Sequence, residues 1–239
     1  MVDANPPEEI RRTAAGAGSP ERAPAAAPCP LCQARARFFH SDRRRPYYRC
    51  PTCDLVHVPC AWQLDAAAEK AQYDLHDNRP DDPGYRRFLS RAGDAVRHRV
   101  APPADGLDFG CGPGPTLSLM LCEAGYHMAL YDPFYAPRAQ ALNNRYDFIT
   151  ATEVFEHLRT PAAGIARLRG ALRDGGWLIV MTKRPREDRI AFARWHYIHD
   201  PTHVAFFSAA TFVWVADHYD FDLEIVGDDV VALRRRPTA

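Results

Sequence analysis

The stretch GLDFGCGPGP, residues 106–115, limits what this chain can become more than any other run. Gly110, Gly112 and Gly114 alternate directly after a short apolar segment and directly before a helix-forming one. Such a junction is a strand-to-helix turn whose main chain, free of Cβ atoms, can approach a ligand closely. The helix that follows turns its positive N-terminus toward a carboxylate or phosphate. In an open parallel sheet, ligands bind beyond the carboxyl ends of the strands, where this turn would lie.

The rest of the chain from residue 105 alternates accordingly. After LDFG come a helix over PTLSLMLCEAG, closed by Gly125, and a strand HMALYD. A third strand, YDFITA, leads into a helix TEVFEHLR that stops near Pro161. Next are a helix AAGIARLRGALRDGG ending in its glycines and a strong strand WLIVMTK. A helix SAATFVWVADHYD, with Ser208 as N-cap, precedes FDLEIVGDDVVALRRR, two strands turning at 227–229. Alternation of this kind predicts an α/β fold: a Rossmann-like, doubly wound, mostly parallel sheet with a closing antiparallel hairpin.

The glycine spacing excludes two common ligands. A dinucleotide fingerprint reads G-x-G-x-x-G. Here Pro115 takes the place of the third fingerprint glycine, and no Lys-Ser/Thr pair follows to make a nucleotide-triphosphate loop. Asp108 precedes the loop, and Asp132 ends the second strand, where a carboxylate can accept from both hydroxyls of a ribose. A nucleoside carrying a carboxylate and no diphosphate suits this set.

LDFGCGPGP, the YDP acid, YDFITATEVFEHL, LRDGGWLIVMT and the final hairpin resemble, in order, the class I S-adenosylmethionine-dependent methyltransferases. The resemblance covers residues 106–236 and implies S-adenosyl-L-methionine as cofactor. Asp108, Gly110, Cys111, Gly112 and Gly114 would then flank its methionine part, Asp132 its ribose, and Thr152 and Glu153 would close the cofactor site. The chain departs from the pattern in one place. Only fourteen residues separate Asp132 from Asp147, too few for the usual helix and strand, so one edge strand is expected to be missing. No adenine-contacting acid is assigned, and Phe134 or Tyr135 could pack there instead.

Glu153, Glu156 and His157 stand at i, i+3 and i+4, one face of the expected helix. His196, His199 and His203 follow in the long connection WHYIHDPTHVAFFS. Carboxylates and imidazoles converging near the cofactor could move a proton or hold a divalent cation. The pattern of Glu153, Glu156, His157 and His203 resembles the ubiquinone-pathway O-methyltransferases. It also resembles small-RNA 2′-O-methyltransferases, which implies Mg2+ or Mn2+ on those four side chains. His157, His203 and Glu156 are the expected catalytic residues, with or without a metal. His196 and His199 are expected to be packing or surface residues; Trp195, Tyr197, Phe206 and Phe207 could line an apolar acceptor pocket, with some of them in the core instead.

Before this domain, Cys29-x-x-Cys32 and Cys50-x-x-Cys53 enclose seventeen residues. That spacing predicts a four-thiolate zinc ribbon, two knuckles joined by a hairpin, over residues 29–60. Its zinc would be structural. Cys60, Cys111 and Cys122 remain, an odd number that argues against a disulfide framework. Residues 1–28, rich in Ala and Pro, read as a disordered tail. Residues 61–104 read as a helical linker and cap, broken near 80–84, with Phe88, Leu89, Ala92 and Val96 at helical spacing. The methyltransferase domain would occupy 105–239.

Six arginines, Arg35, Arg37, Arg43, Arg44, Arg45 and Arg49, interleave with Phe38, Phe39, Tyr47 and Tyr48 in the ribbon. RNA binding by phosphate contact and stacking would use such residues. Thirty basic side chains match thirty acidic ones, however, so no overall field attracts nucleic acid. No apolar run of membrane-spanning length and no secretory leader is read, and a cytoplasmic protein with reduced thiols is expected. Three functions stand: methylation of a small-molecule acceptor on O or C, methylation of RNA, or binding without catalysis on a degenerate scaffold. The oligomeric state is left open.

Overall fold

A computed structural model describes residues 24–75, 78–186 and 188–237. The main sheet has six strands, β5 (Asp105–Phe109), β6 (His127–Tyr131), β7 (Tyr146–Thr152), β8 (Leu172–Met181), β10 (Phe221–Ile225) and β11 (Val230–Arg235). Their spatial order is β10-β11-β8-β7-β5-β6. The four strands β6, β5, β7 and β8 are mutually parallel, and the β10–β11 hairpin adds two antiparallel strands at one edge. Alternate side chains feed opposite faces. Leu178 and Val180 join one core with α4 (Pro161–Ala171) and α6 (Ala209–His218). Ile179 and Met181 join another with α2 (Pro83–Arg97) and α3 (Thr116–Glu123). This is the doubly wound arrangement the alternation predicts.

The short connection behaves as expected. Between β6 and β7 the chain makes only a 3-10 turn, Ala139–Asn143, and β6 stands at the sheet edge. Ser208 caps α6, accepting from Thr211 N–H while the Thr211 hydroxyl accepts from Ser208 N–H.

Two helix expectations are corrected. The segment 162–176 is helical only to Ala171, and its glycines lie inside β8. Gly175 adopts φ +74°, and a Cβ on Gly176 would meet the carbonyls of Arg173 and Asp147 at 2.9 and 3.0 Å. The glycines serve a register shift in the β7–β8 ladder rather than a helix end. Residues 152–159 are not a helix either. Glu153 takes φ +53° as its amide donates to Met181 O, and only Phe155–His157 wind into a 3-10 turn.

The cysteine unit is built as two matching knuckles. Gln33 N–H donates to Cys29 O and Asp54 N–H to Cys50 O, and Gln33 and Asp54 share positive φ values of 62° and 61°. Its sheet runs β1 (Ala26–Pro28), β2 (Arg35–Ser41), β3 (Pro46–Arg49), β4 (Val56–His57) and β9 (Ala205–Phe206). Both ends differ from the expected limits. Residues 26–28, read as tail, form a strand, whereas residues 1–23 lie outside the described residues. The far strand, β9, comes from the methyltransferase segment itself. Tyr48 and Leu55 of this unit share a continuous core with Phe207 and Phe212.

His57 is 1% exposed, and neither ring nitrogen finds a hydrogen-bonding partner. Burial lowers its pKa from 6.5 to about 4. The unfolded chain therefore binds the extra proton first, and stability falls as pH drops from 6.5 through 4, by about 3 kcal/mol in full. His57→Leu is expected to remove this part of the acid sensitivity. The check is the urea midpoint of both proteins at pH 7.5 and pH 4.5. Equal losses in the two proteins would refute the assignment.

Candidate active site

A cavity of about 610 Å³ opens at the carboxyl ends of the parallel strands. One end is walled by Asp108, Gly110 through Gly114 and Asp132, the other by Thr152, Glu153, His157 and His203. The expected cofactor positions and two of the three expected catalytic residues thus share one space. Glu156 stands just behind it, fully buried.

The glycine loop is shaped by contacts that a side chain would break. Gly110 adopts φ +76° and packs on Val154, where a Cβ would fall 2.4 Å from a methyl carbon. A Cβ on Gly114 would lie 2.0 Å from Asn78 O, so this glycine lets the segment before α2 cross over the loop. The loop amides are turned inward more than the sequence suggests. Gly110 and Cys111 N–H donate to Tyr131 O at 2.7 and 3.3 Å. Gly112 N–H donates to Asp132 Oδ2 at 3.1 Å. Asp132 Oδ1 also accepts from Phe134 N–H (2.8 Å) and Tyr135 N–H (3.0 Å). This carboxylate therefore ties the ends of β5 and β6 together.

Asp108 accepts from the hydroxyls of Ser118 and Thr150, both at 2.9 Å. Burial still raises its pKa from 3.8 to about 6.

The acid–histidine cluster forms without the expected helix. Tyr197 brings the two acids together: its hydroxyl lies 3.2 Å from Glu153 Oε2 and bonds to Glu156 Oε1. Glu153 Oε1 and Glu156 Oε2 are buried without a partner. Burial, and for Glu153 the charge of Glu156, push their pKa values to about 8 and about 7. His157 Nδ1 faces Thr202 O at 3.2 Å, and His203 Nδ1 faces Tyr197 O at 2.7 Å. Each Nδ1 therefore carries the proton, and each Nε2 keeps its lone pair, that of His203 lying 3.7 Å from Asp200 Oδ2. The rings meet edge to face at 4.8 Å. Burial lowers both pKa values, that of His203 to about 3, with His157 next to it as the second cause.

Glu69 and Tyr73, on α1 (Ala66–Tyr73), also line the cavity, as does Asp200. Tyr73 sets its ring edge to face against His157 at 5.2 Å, and its hydroxyl donates to Glu69. Arg159 pairs with the same Glu69. The only signal for them in the sequence is the i, i+4 spacing of Glu69 and Tyr73, residues read as linker. Conversely, Tyr197, Phe206 and Phe207 are at most 5% exposed, and Trp195 packs beside Phe206. They form core, so the expected apolar acceptor pocket does not exist there. His196 and His199 are exposed, as read.

The four thiols converge: Cys29 Sγ lies 3.5 Å from Cys53 Sγ, and Cys32 Sγ 3.3 Å from Cys50 Sγ. All four atoms fall within 4.8 Å of one another, as do one donor each from Glu156, His157 and His203. Of the six ribbon arginines, Arg45 is buried, Arg49 pairs with Asp54, and Arg44 donates to His199 O. Tyr47 and Tyr48 are fully buried. Half of the cations and two of the four aromatics expected to meet RNA are thus engaged inside the molecule. Among the described residues, no helix is long and apolar enough to cross a membrane.

Sheet order, glycine loop, ribose-side acid and closing hairpin together define a class I S-adenosylmethionine-dependent methyltransferase. A methyltransferase-domain family model matches residues 83–225, more than half of the chain, and the protein belongs to that family. A ubiquinone biosynthesis O-methyltransferase from Serratia proteamaculans (strain 568) is 31% identical over 84 residues, 35% of each protein, so the chain spans about a third of that relative. Two solved structures from Burkholderia thailandensis share the fold. A 1,6-didemethyltoxoflavin N1-methyltransferase has a TM-score of 0.50 at 17% identity, covering 83% of this chain and 98% of its own. An O-methyltransferase family protein has a TM-score of 0.50 at 14% identity, covering 73% and 61%.

The energetic tension at Asp108 is testable. Its raised pKa means that ionisation opposes folding: the stabilisation present below pH 3.8 is lost as pH rises through 6. Asp108→Asn keeps an acceptor for two rotatable hydroxyls and removes the charge. It is expected to stabilise the ligand-free protein by up to about 3 kcal/mol at pH 8. Urea denaturation should show that gain shrinking at pH 4.5; a gain independent of pH would contradict it.

Proposed function

We propose that this protein transfers the methyl group of S-adenosylmethionine to an oxygen or carbon of a small-molecule acceptor. The observation that carries this reading is the single cavity joining the glycine loop to the paired carboxylates and imidazoles. Phe134 and Tyr135, on the cavity wall beyond Asp132, are placed to pack against an adenine. Asp132 uses three of its roughly four lone-pair sites on backbone amides, leaving one for a ribose hydroxyl. The solved 1,6-didemethyltoxoflavin N1-methyltransferase holds 1,6-didemethyltoxoflavin and S-adenosylhomocysteine, and the Serratia relative is named for ubiquinone biosynthesis. Both favour a small acceptor over RNA, as does the internal engagement of the ribbon arginines.

A sulfonium methyl is already electrophilic, so the protein's work is alignment, exclusion of water and removal of the acceptor proton. Neutral His157 and His203 offer Nε2 lone pairs to the acceptor's hydroxyl. The Glu153–Glu156 pair, holding one proton between two carboxylates near neutral pH, is poised as a base. A second reading has a specific basis. Glu156 Oε2 lacks a partner, and both imidazoles have their Nδ1 oriented by carbonyls, as metal-ligating histidines do. Those three side chains would hold a divalent cation, which supplies a Lewis acid to the acceptor oxygen. Two nitrogens and one carboxylate suit Mn2+ better than Mg2+. Titration of Mn2+ followed by electron paramagnetic resonance separates the readings: binding lost in His203→Ala supports the metal, and no binding to the native protein removes it.

The four thiolates fit a structural zinc, with the right donors, the right spacing and two matching knuckles. Calorimetry with S-adenosylhomocysteine tests the cofactor reading. The native protein is expected to bind, Asp132→Ala about tenfold or more weakly, and His203→Ala like the native protein. No binding to the native protein would overturn the function proposed here. Atomic emission is expected to find one zinc per chain in the native protein and none in Cys50→Ser, and retained zinc in the variant would contradict the four-thiolate site.

A further inference from the structure

Arg45 is 3% exposed, yet among the described residues its guanidinium donates to carbonyls and a tyrosine hydroxyl rather than to a carboxylate. Its nitrogens point across the molecule, from the hairpin of the cysteine unit into the segment that carries His203. One terminal nitrogen donates to Pro201 O at 2.7 Å. The other donates to Asp200 O at 2.7 Å and Ile198 O at 3.1 Å. The third, Nε, donates to the Tyr47 hydroxyl at 3.0 Å, and that hydroxyl lies 2.9 Å from Asp42 Oδ2. Asp42 Oδ1 accepts in turn from the amides of Arg44 and Arg45. The buried charge is thus neutralised at one remove, and the fork itself is fixed by the hairpin.

The carbonyls of residues 197–202 divide between two tasks. Those of Tyr197 and Thr202 face the Nδ1 atoms of His203 and His157. Those of Ile198, Asp200 and Pro201 face Arg45. A planar donor with a fixed fork sets the directions of several carbonyls at once, which a flexible ammonium does not. Turning any of the Arg45-bound peptides would turn the neighbouring ones that hold the histidines. Strand pairing frames the same segment: His57 opposes Ala205, and Val58 N–H donates to Val204 O at 2.9 Å.

We propose that Arg45 is a positioning residue for the active site, holding segment 197–203 so that His203 and His157 present Nε2 to the cavity. The cysteine unit thereby serves as the splint of the catalytic loop rather than as an RNA-binding appendage. The inference rests on the histidine roles proposed above, but its structural part stands on the hydrogen bonds alone.

The test uses the full chain with Arg45→Met and Arg45→Lys, read by hydrogen exchange, imidazole nuclear magnetic resonance and calorimetry. In Arg45→Met, amides of 197–206 are expected to exchange about tenfold faster or more, while those of β5, β7 and β8 keep their native rates. The His203 ring should lose its single Nδ1–H tautomer signature, and Arg45→Lys should restore part of both signals. S-adenosylhomocysteine affinity should stay native, because the glycine loop is untouched. Native protection of 197–206 together with an unchanged His203 signal would overturn the proposal. So would faster exchange spread evenly over the whole protein. Should Arg45→Met fail to fold, Arg45→Lys decides by the same two readouts in the same segment. Failure of the native protein to bind S-adenosylhomocysteine would sink the methyltransferase roles of the histidines while leaving the exchange result to judge Arg45.

Discussion

The pairing of β4 with β9 is the constraint around which this molecule is organised. It joins a strand of the cysteine unit to a two-residue strand that lies just beyond His203 and just before α6. Through it the small sheet and the large one share a core, and the connection from β8 to α6 is held along its length. Without that pairing, residues 196–208 would be a long exposed loop, and loops of that kind move. The role proposed for His203, one nitrogen aimed at the acceptor, requires a carbonyl that does not move. The structure supplies it by extending a sheet over the loop. The picture of a cofactor-binding domain plus an appendage therefore misdescribes the chain: the appendage completes the domain.

A second constraint is electrostatic. Two glutamates, a tyrosine and two histidines are buried together with few cations near them. Burial raises the pKa of both carboxylates, the charge of Glu156 adds to it at Glu153 and that of Asp200 at Glu156, so the cluster opposes full ionisation. Left-handed backbone at Glu153 adds strain of about 1–3 kcal/mol. A chain selected only for stability would replace this group with apolar side chains of similar volume. Its position beside a cavity, with two carboxylate oxygens unpartnered among the described residues, supports the functional reading proposed above. The same reasoning applies to Asp108, whose charge is buried where only hydroxyls solvate it.

Much of this was legible in the sequence where one residue type has one physical use. Four cysteines at two-residue spacings, three glycines at a strand end and fourteen residues where a helix and strand normally fit all led to features found in the structure. The cluster of Glu153, Glu156, His157 and His203 was also found, though by a mistaken route. A helix was read from i, i+3 and i+4 spacing, whereas a left-handed residue and a 3-10 turn bring the acids together around Tyr197. The local pattern could not reveal that turn, because the partner that rewards it lies more than forty residues downstream. The glycines 175 and 176 misled for the opposite reason: their usual meaning at a helix end was overridden by a register shift against β7. Arg45 and Tyr73 were invisible as site residues, since nothing in an arginine-rich hairpin or a short alanine-rich helix says which side chain turns inward.

The shortened middle of the sheet is where loss and compensation meet. Among the described residues no strand lies beyond β6, so the glycine-loop end of the cavity lacks the wall that a further β-α unit would build. Helix α1 takes that place from the other end of the sequence. Tyr73 packs on Phe134 at 5.8 Å, the Tyr135 hydroxyl donates to Asp74 at 2.6 Å, and Lys70 lies 5.0 Å from the centre of the Tyr135 ring. The same helix reaches His157 through Tyr73 and Arg159 through Glu69. One eight-residue helix thus touches both the wall beyond Asp132 and the acid–histidine cluster. Past the end of β6 the cavity wall is therefore not left bare: α1 packs on Phe134 and Tyr135 while its Tyr73 meets His157, which supports the catalytic reading proposed above over a decayed scaffold.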